Sequence, residues 1–181
     1  MMYKKTTRMV LAALFLALAY VLPYLTGQIP EIGAMLCPMH LPVLLCGFVC
    51  GWQWGLAVGL VAPLLRSLLT GGFPPMFPTA VCMAFELATY GLIAALALRA
   101  LARRRFSVYP ALLIAMLAGR LVWGGAMLLL VGVRGGFGWS AFLAGSVTGA
   151  LPGIVLQLVL IPPTIMLIER IHPNKRRDHR L

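Results

Sequence analysis

The chain of 181 residues is 61% hydrophobic and only 10% charged, with a mean hydropathy of +0.95. Soluble domains are about 45–50% apolar and about 25% charged, so this composition excludes an ordinary soluble fold and predicts a single integral membrane domain over residues 1–181. The formal net charge of +11 indicates either nucleic acid or an acidic membrane surface as a partner, depending on where the basic residues lie.

The first apolar segment, from about Arg8 to Tyr24, is long enough to cross a hydrocarbon core of about 30 Å. A cleaved signal peptide is the competing interpretation, because Ala17-Leu18-Ala19 follows a basic start and an apolar run. We favour a retained helix, since apolar segments continue downstream and the later basic clusters need this span to stay on one side of the membrane.

The next two segments are predicted to form a tight antiparallel hairpin. A turn-prone loop at residues 27–33 leads into segment two, which ends near Cys50. The chain then turns at Gly51-Trp52-Gln53, and segment three covers residues 54–69.

Residues 70–78 contain Pro74, Pro75 and Pro78 and cannot be helical throughout, because proline lacks the N–H donor and restricts the residue before it. Three further apolar segments follow, at residues 79–98, at 108 to about 133, and at about 139–168. The predicted fold is therefore an all-α membrane protein, a compact bundle of six transmembrane helices.

The basic residues fall into clusters that fit this topology. Twelve of the fifteen Lys and Arg residues lie at the amino terminus, between residues 99 and 105, and in the basic tail at about 170–181. Six spans place all three regions on one side, and an excess of Lys and Arg marks the cytoplasmic side. We predict cytoplasmic amino and carboxyl termini, a tail near anionic lipid headgroups of the bilayer, and no nucleic-acid partner.

Ionisable residues inside the predicted spans are the candidates for function, because charge at that depth is costly unless it meets a partner or a water-filled cavity. Arg66, Glu86 and Arg120 are such residues, and alternating helix directions bring them to the outer half of the bundle, where His40 lies near the outer end of segment two. Helical spacing adds further side chains to the same faces. The candidate substrate-binding residues are His40, Arg66, Glu86, Tyr90, Arg120, Trp123 and Gln157.

Two interpretations of these charges remain open. Glu86 can pair with Arg66 or with Arg120 simply to hold helices together, but one arginine is then left over. Two guanidinium groups and one carboxylate are best completed by an anionic ligand, since the planar fork of arginine suits a carboxylate. For His40 we favour a polar residue at a helix entrance over a ligand contact.

Aromatic residues on the outer loops form a candidate lid over this site. Phe73 and Phe77 lie on the proline-rich loop, and Phe137 lies between glycines that can act as hinges. Anchoring of these rings at the membrane interface is an alternative.

Motifs for catalysis or ATP binding are missing from the sequence. It contains no GxxxxGK[ST] phosphate loop, no HExxH or GxSxG motif, and no aspartate before Asp178. The four cysteines lack metal-ligand spacing and are predicted to be packing residues. We predict a protein that is not an enzyme and holds no metal or cofactor.

The whole pattern resembles the substrate-binding S components of energy-coupling factor (ECF) vitamin transporters. The resemblance rests on the size, the six spans, the pair Ala13 and Ala17, and the stretches PMHLPV at 38–43, PLLRSLL at 63–69 and FELATYG at 85–91.

The resemblance implies a bacterial plasma-membrane protein that binds one vitamin near its outer face. It also implies docking, through Ala13 and Ala17, on a transmembrane coupling protein driven by two cytoplasmic ATPase subunits. Small residues four apart independently permit close helix contact in lipid. The context of Arg66 and Glu86 is similar to pantothenate-type members. The alternatives are a stand-alone small permease and an intramembrane enzyme with unrecognised chemistry.

Overall fold

The computed structural model describes residues 5–25, 37–101, 106–132 and 151–171, and all regular structure in these ranges is helical. Five stretches are long and apolar enough to cross a membrane, and one shorter apolar helix accompanies them. In chain order the helices are α1 Lys5–Leu25, α2 His40–Cys50, α3 Trp52–Leu69, α4 Val81–Leu101, α5 Val108–Leu130 and α6 Leu151–Ile171.

Helix α2 has 11 residues and is the shortest of the described helices. The sequence predicts a longer segment two, but the helix begins only at His40, whose backbone N–H donates to the Cys37 carbonyl at 3.0 Å. Pro38 has no N–H and restricts the residue before it, and Cys37 adopts a positive φ of 46°. The start of α2 is thus set by a turn at this proline.

The connection between α2 and α3 is tighter than predicted. Gly51 alone separates the two helices, and Trp52 and Gln53 already belong to the first turn of α3. Gly51 has φ +99° and donates its N–H to the Gly47 carbonyl at 3.1 Å. Only glycine adopts this backbone conformation without steric cost, so it permits the reversal within one residue.

The proline-rich loop interrupts the helices as predicted. Helix α3 ends at Leu69, and the Thr70 hydroxyl donates to the Arg66 carbonyl at 2.7 Å. A widened turn at Met76–Ala80 then leads into α4, and Phe77 within it is extended, with φ −120° and ψ 132°.

Helices α2, α3 and α4 meet through glycines whose backbones touch. A Cβ added at Gly59 would lie 2.2 Å from the Leu87 carbonyl oxygen, and one at Gly91 would lie 2.2 Å from that of Gly55. A Cβ at Gly47 would lie 2.5 Å from the Gly91 oxygen. Since Gly55 opposes Gly91 and Gly59 opposes Leu87, α3 and α4 run antiparallel in a fixed register.

The remaining helices pack around this contact. The Tyr90 ring covers Gly119 of α5, where a Cβ would lie 2.1 Å from Tyr90 Cε1.

The four cysteines are buried and form no disulfide. Helix α1 buries Ala12 and Ala19 against the bundle. The outer surface of α5 carries exposed leucines that suit a lipid environment: Leu113, Leu117, Leu121, Leu128 and Leu129.

Candidate functional site

Glu86 lies at the centre of a buried polar cluster that joins three helices. Its side chain lies in the second turn of α4, and the residue is only 1% exposed. Arg120 Nη1 from α5 lies 3.0 Å from Glu86 Oε1, and the Tyr90 hydroxyl donates to the same oxygen at 3.0 Å. His40 Nε2 from α2 lies 3.6 Å from it. One carboxylate oxygen therefore receives groups from α2, α4 and α5.

The two opposite charges of the Glu86–Arg120 ion pair compensate each other, and further contacts complete the pair. A buried ion pair is stable only when its geometry is good and further hydrogen bonds complete it. The Tyr90 hydroxyl supplies one such bond, and Arg120 Nη2 donates to Cys37 Sγ at 3.8 Å. Of the two pairings that the sequence leaves open for Glu86, the structure adopts the one with Arg120.

His40 is buried, with 4% of its surface exposed, beside the Tyr90 ring at a centroid distance of 5.3 Å. Neither of its ring nitrogens has a hydrogen-bond partner within the described residues. A neutral imidazole offers one donor and one acceptor, and leaving both unmade in a buried position is costly. His40 is therefore poised to bond a polar group that enters the cluster.

Arg66 lies apart from this cluster, near the end of α3. It is 5% exposed, its Nε has no hydrogen-bond partner, and none of the described carboxylates lies within ion-pair distance. Its guanidinium carbon lies 5.9 Å from the centre of the Phe73 ring. Tyr20 and Tyr24 of α1 are its electrostatic neighbours, and their hydroxyls are 3.0 Å apart.

These contacts place the polar residues at one end of the bundle, which we call the Arg66 end. There α1 finishes beside Arg66, α2 begins beside Glu86, and the loop carrying Phe73 connects α3 to α4. The opposite end holds Gly51, and a Cβ added there would lie 3.9 Å from Arg99 Nη2. The polar site and Arg99 are therefore at opposite ends of the bundle.

The other predicted site residues are Gln157, Trp123 and the three phenylalanines of the candidate lid. Gln157 of α6 is 3% exposed, and its Oε1 has no partner in the described residues. Trp123 is half-buried one turn beyond Arg120. Phe73 contacts Arg66, Phe77 is exposed on the widened turn, and Phe137 lies outside the described residues.

A family model for the substrate-specific component of ECF transporters matches residues 7–165. The chain belongs to this family. This S component is thus a substrate-specific transporter subunit, and its family works with a coupling protein, ATPases and a small-molecule substrate. Its apolar helices agree with a multi-pass membrane protein. No curated protein and no solved structure gives a significant match to it.

Some residues of the S component's site were not predicted from the sequence. Tyr20 and Tyr24 are one helical turn apart at the end of α1, a spacing from which a shared polar face could have been inferred. The contact of Cys37 with Arg120 spans 83 positions in the chain and has no sequence signal.

Proposed function

We propose that this S component captures one small anionic vitamin, with pantothenate as the best candidate, at the Arg66 end of the bundle. The observation that carries the proposal is the surplus charge of Arg66. Glu86 already compensates Arg120, whereas Arg66 is buried and no carboxylate among the described residues lies within ion-pair distance of it. Burying a guanidinium without a partner costs desolvation free energy, and an anionic ligand that pairs with it offsets that cost.

Other side chains at the Arg66 end would complete the ligand site. His40 and Gln157 are buried with unused hydrogen-bonding atoms, which suit the hydroxyl and amide groups of a vitamin. Tyr90 and Trp123 would supply the apolar walls that small-molecule sites require. In the proposal, Phe73, Phe77 and Phe137 cover the bound molecule as a lid.

We further propose that the Arg66 end faces outward across a bacterial plasma membrane, with both termini in the cytoplasm. The support is the clustering of basic residues at the opposite end, because Lys and Arg accumulate on the cytoplasmic side. Arg99 contributes to that end beside Gly51. The vitamin would then enter from outside.

The proposed docking surface for the coupling protein is the face of α1 that carries Ala13 and Ala17. Both residues are exposed, whereas Ala12 and Ala19 are buried. Small side chains permit close contact between helices in lipid. In this proposal the coupling protein and two ATPases supply the energy, and the S component alone binds without transporting.

Identification of the co-purified ligand tests the substrate directly. The S component is purified in detergent, denatured, and its released small molecules are analysed by mass spectrometry, followed by calorimetric titration of the emptied protein with pantothenate. The proposal predicts release of a carboxylate-bearing vitamin and saturable binding at one site. Release of an uncharged or cationic ligand would contradict it.

A further inference from the structure

We propose that the site consists of two separate subsites, so that the ligand lies along the bundle with its carboxylate on Arg66 and its hydroxyl groups at the Glu86 cluster. The inference rests on the proposed function and adds the orientation of the ligand and the class of molecule it selects. That class is an elongated molecule with a single anionic group at one end and uncharged hydrogen-bond donors at the other.

Arg120 is unsuited to hold the carboxylate of the ligand. Its Nη1 lies 3.0 Å from Glu86 Oε1 and its Nη2 donates to Cys37. A second carboxylate placed here would meet the like charge of Glu86 at short range, and such pairs resist being ionised together. The Glu86–Arg120 pair therefore stays intact when the ligand binds.

Arg66 has the opposite surroundings. It is buried, its Nε has no partner among the described residues, and its guanidinium carbon lies over the Phe73 ring, 5.9 Å from the ring centre. The N–H groups of a guanidinium can hold a carboxylate with two parallel bonds. Tyr20 and Tyr24 are electrostatic neighbours of the same guanidinium.

The Glu86 cluster is suited to uncharged donors. The contacts of His40, Tyr90 and Arg120 with Glu86 end on Oε1. A carboxylate has about four acceptor sites on its two oxygens, so Glu86 can also accept a hydrogen bond from a ligand hydroxyl. An ionised carboxylate only accepts hydrogen bonds, whereas a neutral histidine both donates and accepts. His40 Nε2 is turned toward Glu86 Oε1 at 3.6 Å, and Nδ1, which has no partner among the described residues, can bond a second hydroxyl or an amide.

The contact between α3 and α4 fixes the distance between the two subsites. Gly59 lies against Leu87. Arg66 lies seven residues beyond Gly59, about 10.5 Å along α3, and Glu86 lies one residue beyond Leu87 in the same direction, about 1.5 Å. The two Cα levels thus differ by about 9 Å, and Glu86 forms its ion pair with Arg120 and not with Arg66. A molecule of pantothenate's length, with a carboxylate at one end and hydroxyls at the other, fits this separation.

Matched ligands test this division of the site. Three probes are titrated: pantothenate, pantothenol (an alcohol replaces the carboxylate), and N-(3,3-dimethylbutanoyl)-β-alanine, which keeps the carboxylate and lacks both hydroxyls. They are compared on the wild-type S component, Arg66→Gln, His40→Leu and the control Arg99→Gln, which changes an exposed arginine at the opposite end.

We expect wild type and Arg99→Gln to prefer pantothenate over pantothenol by at least about 30-fold, the low end for a buried charged contact. Arg66→Gln should reduce this preference to about threefold or less while binding pantothenol as wild type does, which also shows that it folds. His40→Leu should weaken pantothenate and pantothenol equally and leave the third probe unchanged, because that probe lacks the groups that His40 bonds.

Two results would overturn the subsite assignment while leaving pantothenate as the substrate. One is an Arg66→Gln protein that binds pantothenate and keeps the wild-type preference, and the other is equal wild-type affinity for pantothenate and pantothenol.

If Arg66→Gln does not fold, Phe73→Leu on the exposed loop replaces it. It should weaken pantothenate more than pantothenol, and an equal loss would refute the subsite. Wild type that binds no probe refutes both the pantothenate assignment and the orientation.

Discussion

Gly59→Ala tests the helix contact that sets the geometry of the site. The added Cβ would lie 2.2 Å from the Leu87 carbonyl oxygen, 2.4 Å from its carbon and 2.6 Å from the Ala88 nitrogen. All three are backbone atoms and cannot rotate away, so α3 and α4 must separate by about 1 Å. Overpacking of this kind costs about 1–3 kcal/mol.

Gly125→Ala is the matched control, because Gly125 also lies inside a helix and a Cβ there would have nothing within 4 Å. Alanine favours helix by about 1 kcal/mol over glycine in both variants. The difference between the two variants therefore isolates the collision at Gly59. For a chain of this size, 1–3 kcal/mol corresponds to a melting temperature lower by about 2–12 °C.

The assay is thermal unfolding in one detergent at one heating rate, followed by circular dichroism. We expect Gly59→Ala to melt below Gly125→Ala by that margin. We also expect weaker pantothenate binding, because Leu87 adjoins Glu86 and the spacing from Arg66 changes. Equal melting of the two variants would refute the close backbone contact and the register derived from it.

Further substitutions address docking and the buried ion pair. Ala13→Trp or Ala17→Trp should abolish uptake by the complete transporter and leave ligand binding unchanged. The control Leu18→Trp, on another exposed part of α1, should preserve both uptake and binding. A loss of ligand binding in parallel with uptake would contradict a docking role. Glu86→Gln should lower the free energy of unfolding by about 3 kcal/mol, because it leaves Arg120 buried without its counter-charge. If this variant unfolds at the wild-type temperature, the ion pair does not stabilise the bundle.

The positions of most helices followed from the sequence because long apolar runs are a strong signal in a membrane protein. The segment around α2 was harder to predict. Its apolar composition suggests a full span, but the described helix starts only at His40, after a turn at Pro38. Hydropathy does not distinguish a helix from an apolar turn, and local backbone geometry decides between them.

The pairing within the site could not be derived from composition alone. Arg66 and Arg120 lie in the predicted spans before and after the one that carries Glu86, and either could meet it. The choice depends on helix register, which the glycine contacts determine. The sequence does carry a sign of these contacts, since Gly55 and Gly59 are four residues apart on α3 and Gly47 lies eight residues before Gly55.

The depth of Arg66 in the bundle could be predicted from the sequence, whereas its neighbours could not. Its depth in an apolar span predicted a functional residue, and the structure places it buried with no described carboxylate within ion-pair distance. Its neighbours Tyr20, Tyr24 and Phe73 come from α1 and from the loop, so they depended on the packing of the whole bundle.

The central claim is that this chain captures a vitamin and depends on other subunits to move it. The most direct test measures radiolabelled pantothenate in proteoliposomes that hold the S component alone, and in others that also hold the coupling protein and ATPases with ATP inside. We expect saturable binding without accumulation by the S component alone, and accumulation only with the complete assembly. Accumulation by the S component alone, or the absence of any binding to it, would contradict the account.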